Sequence, residues 1–98
     1  MAKQIIWTVK AKNELIEILI YWLNRNKSNT FSVKLNKLIQ NQLALVSQYP
    51  HIGRKTDIEN VSVTIVHKYL VYYQADEKNL YVLTIRHGHQ DPETLKLR

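Results

Sequence analysis

The residues able to do chemistry are few and sit in the second half of the chain. Arg54 and Lys55 follow Tyr49-Pro50-His51-Ile52-Gly53, Lys68 follows His67, and Arg86-His87-Gly88-His89 closes the last apolar run. Arginine holds a phosphate through two parallel N–H donors, and lysine acts on it as a point charge. A free imidazole has a pKa of about 6.5 and so exchanges protons near neutral pH. Arg54, Lys55 and Arg86 are therefore candidates to neutralise a phosphate, and His87 and His89 to move a proton beside it. Lys68 and Tyr72 are candidates to hold a substrate. The chain has no cysteine, which excludes thiol catalysis and thiolate metal sites. His87, His89 and Asp91 could share a strand face, but no dedicated third ligand stands near them, so no metal or other cofactor is expected.

Each candidate also has a plainer role open to it. Arg54 could cap the helix before it or pair with Asp57 or Glu59, and Lys68, His67 and His51 suit solvated turns. Tyr69, Tyr72, Tyr73 and Tyr81 could stack on bases. In alternating strands such residues more often form cross-strand core pairs.

The elements that must position these groups follow from the apolar periodicity. Residues 4–8 read as a short strand rich in β-branched and aromatic types. Residues 9–25 read as a helix, with Leu15, Leu19 and Trp22 in one row and Ile16, Ile20 and Leu23 in the next. Ile18 and Tyr21 widen its apolar arc beyond one packing face. Such a helix is either sandwiched or awaits a partner. After a polar break that Ser28 or Asn29 can cap, a second helix runs to about residue 48, making an antiparallel hairpin. From residue 59 the period changes to two. Val61, Val63 and Ile65 alternate with Ser62 and Thr64, which predicts a half-buried strand. Strands over 69–75 and 80–87, joined by the turn at 76–79, complete a meander.

The expected fold is thus α+β in the order β-α-α-β-β-β, a helical hairpin packed on one face of a small antiparallel sheet. The first strand joins one edge. The open face is expected to carry Ser62, Thr64, Thr84 and Arg86, with Arg54 and Lys55 arriving from the loop and His87 on the core side.

At 98 residues the chain is expected to form one domain over 1–98. It has no apolar run long enough to span a membrane and no signal-like start, so a cytoplasmic protein without a membrane partner is expected. Its net charge of +6 points to an acidic partner. Residues 1–50 carry seven Lys and Arg against two Glu, whereas residues 51–98 carry seven against six Asp and Glu. The helical half supplies the field, and the meander half mixes both signs.

The order of elements, Tyr49-Pro50-x-x-Gly53-Arg54 and the run Tyr69-Leu70-Val71-Tyr72-Tyr73 resemble the RelE/ParE superfamily of bacterial toxins. So does the closing run from Leu80 through Arg86-His87-Gly88-His89 to Asp91-Pro92-Glu93. The resemblance covers nearly the whole chain. It implies the toxin of a type II toxin–antitoxin system, neutralised by an acidic or partly disordered antitoxin, in a complex that could be a heterotetramer. Ile18, Tyr21 and Trp22 would then be anchors for the antitoxin.

The resemblance also implies one of two targets. RelE-like members enter the ribosome and cut mRNA. ParE-like members poison DNA gyrase. Metal-independent RNA cleavage needs a group to activate the ribose 2′-OH, charge to neutralise the phosphorane and a donor for the leaving 5′-oxygen. RNA-cutting members often carry an Arg on the first meander strand, where this chain has Ser62. They often end in an aromatic or His-Tyr pair, where this chain has Lys96-Leu97-Arg98. Outside the toxin class, the same scaffold could serve as a basic RNA- or protein-binding module.

Overall fold

The computed structural model describes residues 2–88. Five strands, β1 (Gln4–Trp7), β2 (Arg54–Lys55), β3 (Ser62–Val66), β4 (Tyr69–Ala75) and β5 (Asn79–His87), form one sheet in the order β1-β5-β4-β3-β2. The helices α1 (Val9–Asn26) and α2 (Thr30–Gln48) precede the meander, and a single 3-10 turn at Pro50–Ile52 separates α2 from β2. The fold is the expected α+β order. β1 pairs with β5 in parallel while all other neighbours are antiparallel, so the sheet is mixed. The two-residue β2 adds an edge that its charged sequence gave no reason to expect as a strand.

Local chemistry explains the joints. Thr8 caps α1, its Oγ1 accepting from the Ala11 N–H at 3.2 Å and donating to the Val82 carbonyl at 2.9 Å. One hydroxyl thus ties the helix start to β5. Lys27 ends α1 with φ 52°, and the Thr30 N–H donates to Ser28 Oγ at the start of α2. Leu35, Ile39, Leu43 and Val46 fall at helical spacing on the buried face of α2. They meet Ala11 and Leu15 of α1 and Val66, Tyr69, Val71, Tyr73, Leu80, Val82 and Ile85 of the sheet.

The predicted faces of β3 are reversed. Ser62, Thr64 and Val66 pair across from Tyr73, Val71 and Tyr69, which face the helices. Thr64 is buried, and its Oγ1 accepts from Gln42 Nε2 of α2 at 2.8 Å. Ile65 points away and is 56 % exposed. The alternation alone is symmetric, because Ser62-Thr64-Val66 is as regular as Val61-Val63-Ile65. Val66 and the satisfied Thr64 hydroxyl decide between them.

β5 keeps its parity only in pieces. Tyr72 pairs with Thr84 but Tyr73 pairs with Val82, so Leu83 is an extra residue. Leu80 and Val82 enter the core before this bulge and Ile85 after it. Thr84 lies opposite Tyr72 and is buried rather than presented on an open face.

Candidate functional site: the cleft between helix 1 and strand 5

β1 ends at Trp7, level with Val82, and β5 runs on to His87. Beyond Trp7 the chain turns into α1, so the neighbour of this part of β5 is a helix. Glu14 takes the role of a pairing strand there. Its Oε1 accepts from Thr84 Oγ1 at 2.6 Å and from the Ile85 N–H at 3.3 Å, and its Oε2 accepts from Lys10 Nζ at 3.1 Å.

Further along, α1 and the strand ends part to leave a cleft of about 520 Å³. Ile18, Tyr21, Trp22 and Arg25 line it from α1, Lys68 from the β3–β4 turn, and Tyr69, Ile85, Arg86 and His87 from the strands. Aromatic contacts fix its floor. Trp22 Nε1 donates to Tyr69 Oη at 2.7 Å. Tyr21 packs edge-on against Trp22 at 5.1 Å, Trp22 against Phe31 at 4.8 Å, and Tyr69 against His87 at 5.4 Å. The β3–β4 turn is tight, with His67 at φ 56° and the Gly88 N–H donating to the Lys68 carbonyl at 2.6 Å. A Cβ at Gly88 would lie 2.8 Å from that carbonyl oxygen, so only glycine allows this approach without a shift.

Six of the residues singled out from the sequence line this one cleft: Ile18, Tyr21, Trp22, Lys68, Arg86 and His87. Arg54 and Lys55 do not. They form the outer strand β2, with β3 and β4 between them and β5. Three strand spacings separate β2 from β5, about 14 Å. Tyr72 is buried between Val63 and Thr84. Burial pushes its phenol above the ordinary range, and the Arg86 charge pulls it part of the way back. His89 lies outside the described residues.

Several residues of the cleft were not singled out from the sequence. Glu14 and Glu17 supply its negative side and Arg25 a third cation. Tyr69, read from the sequence as a stacking or core residue, also lines the cleft and is the acceptor for Trp22. Glu14 and Glu17 left a signal, being the only acids on a largely apolar helix. The cleft has cations at its rim, an aromatic floor and carboxylates along one wall. That combination suits a mixed apolar and charged segment of another molecule.

No curated protein sequence matches the chain. A solved structure described as the chromosomal ParDE TA system from P. aeruginosa matches with a TM-score of 0.75 at 18 % sequence identity, over 88 % of this chain and 96 % of that one. At that identity the match speaks for the fold. The family model described as the ParE toxin of the type II toxin–antitoxin system parDE matches residues 5–92. Apart from Gln4, that span takes in all the described strands and both helices, and the chain belongs to the ParE toxin family.

Proposed function

We propose that this toxin arrests growth by inhibiting DNA gyrase, and that its antitoxin neutralises it partly through the cleft of Ile18, Tyr21 and Trp22. The observation that carries the target is the scatter of the candidate cations. Arg54 and Lys55 stand on the outer strand while Arg86 and His87 stand three strands away. Cleavage of one phosphodiester needs its acid, base and charge-neutralising groups within hydrogen-bond reach of a single phosphate. Ser62, at the place where RNA-cutting relatives often carry an Arg, faces Tyr73 on the helix side of the sheet. The family match to ParE supports the same reading.

The test is a gyrase supercoiling assay run beside a coupled translation reaction with mapped mRNA ends. Blocked supercoiling with intact mRNA is expected. Cleaved mRNA that disappears in an Arg86→Ala variant would overturn the gyrase target and make Arg86 part of a ribonuclease centre. Normal growth at high expression of the folded chain would remove the toxin reading altogether.

A further inference from the structure

The whole of the net charge sits in one sector of the fold. Residues 18–56 carry six Lys and Arg and no Asp or Glu, whereas the rest of the chain carries eight of each. That acid-free stretch makes the second half of α1, all of α2 and the edge strand β2. On α2, Lys34, Lys37, Asn41 and Gln48 follow one another at intervals of three, four and seven residues, which places them on one helical stripe. All four are exposed, as are Ala44 and Leu45 among them. The buried row Leu35, Ile39, Leu43 and Val46 marks the opposite face. Among the described residues, neither Lys34 nor Lys37 is paired with a carboxylate. Beyond the C-terminal end of α2, Lys55 pairs with Ser62 and so points to the side of the sheet that carries the helices, while Arg54 pairs with Val63 and points to the other side.

Shape and chemistry select the occupant. At about 1.5 Å per residue the stripe runs about 21 Å from Lys34 to Gln48, and a helix with its side chains is about 10–12 Å across. The major groove of B-form DNA is about 12 Å wide and admits such a helix, whereas the major groove of duplex RNA is too deep and narrow for side chains to read. Lysines suit the phosphates along the groove walls as point charges. Carboxamides both donate and accept, as base edges do, and the small Ala44 leaves room for close approach. An acidic protein surface would be met best by cations throughout, and here the middle of the stripe is uncharged.

We infer that the outward face of α2 binds duplex DNA, the helix lying along the major groove with Lys34, Lys37 and Lys55 on phosphates and Asn41 and Gln48 at base edges. The inference goes beyond the gyrase reading and does not depend on it, since the toxin alone is tested. Fluorescence anisotropy of the full chain with a labelled DNA duplex of about 20 base pairs, long enough to present two turns of groove, is measured over a series of salt concentrations. Lys37→Glu and the double variant Lys34→Glu/Lys37→Glu alter the stripe. Arg54→Glu makes the same charge change as Lys37→Glu on the opposite side of the sheet. All three positions are exposed, and circular dichroism checks that each variant is folded.

The unaltered chain is expected to bind the duplex with an affinity that falls as salt rises. Lys37→Glu should weaken binding by about tenfold, and the double variant by more, with a salt slope flatter by about two. Arg54→Glu should cost about twofold or less. Equal losses in Lys37→Glu and Arg54→Glu would overturn the face, because a general field would then carry the binding. A duplex RNA of the same sequence bound as tightly as the DNA would overturn the groove fit. Displacement of the DNA by polyglutamate at an equal concentration of charge would overturn the proposal in favour of an acidic protein. No binding of the duplex even at low salt would overturn it outright.

Discussion

At the scale of single residues, small groups hold the functional surfaces in place. Gly53 is one. A Cβ there would lie 2.1 Å from Tyr73 Oη and 2.9 Å from its ring carbons. Tyr73 is buried, and its hydroxyl donates to the Pro50 carbonyl at 2.6 Å. Gly53→Ala must therefore move a core ring or the turn that leads into Arg54 and Lys55. Urea unfolding should show a loss of about 1–3 kcal/mol, the usual scale of overpacking. Glu14 is a second such group. Glu14→Ala leaves the Ile85 N–H and the buried Thr84 hydroxyl without their acceptor, which should cost about 1–3 kcal/mol. Glu14→Gln keeps an acceptor oxygen and loses only the partly exposed pair with Lys10, so thermal unfolding should place it close to wild type.

Asp76 acts on the β4–β5 turn in the same way. N–H groups of Asn79 and Lys78 donate to its carboxylate and hold its pKa below the usual aspartate value. A carboxylate with a depressed folded pKa contributes stability above its unfolded pKa and loses it as the pH falls through the folded one. Stability should thus hold from neutral pH down to about 4 and then decline. In Asp76→Asn that share of the acid slope should vanish, as read from unfolding midpoints across an acid series.

At the scale of elements, the bulge in β5 decides what the cleft contains. Leu83 is the extra residue that lets Leu80 and Val82 before it and Ile85 after it all face the core. Deleting Leu83 would leave Val82 directly before Thr84, a strict alternation in which Leu80, Val82 and Ile85 still face the core and Arg86 still faces away from it. The deletion variant should therefore keep a cooperative thermal transition in circular dichroism, and loss of that transition would mean that the bulge itself is required for the fold.

The helices were the most legible elements, because their apolar residues recur at a 3.6-residue period over many turns. Which row of α2 packs was not legible: Leu35, Ile39, Leu43 and Val46 are buried, whereas Leu38, Leu45 and Tyr49, on the row that the spacing favours equally, are exposed. β3 was legible as a strand but not in its facing, since five residues of alternating character read equally well in both directions. Its facing is set by the register with β4 and by one side chain of α2, Gln42. β2 was not legible at all. Two charged residues become a strand only because β3 offers them an edge.

At the scale of the whole molecule, the charge of +6 bears on the encounter with a partner. A basic protein is steered by its field toward an acidic partner, and steering appears in the association rate more than in the dissociation rate. Stopped-flow mixing with the antitoxin, followed by the fluorescence of Trp7 and Trp22, should show an association rate that falls steeply as salt rises, with dissociation nearly unchanged, if the antitoxin is acidic. A salt-independent association rate would mean that the charge of the helical half serves something other than this encounter.

What the sequence determined by itself was the inventory and the local order: two amphipathic helices, a three-stranded meander, a basic helical half, and a cysteine-free set of Arg, Lys and His. These follow from periods and compositions that act over neighbouring residues. The tertiary structure decided which of those residues meet. Ile18, Tyr21 and Trp22 share a cleft with Lys68, Arg86 and His87 because β1 stops at Trp7 and α1 takes its place beside β5. Arg54 and Lys55 stand apart because two strands come between. Strand order, register and a single bulge fix these distances, and all three depend on pairings between segments far apart in the chain.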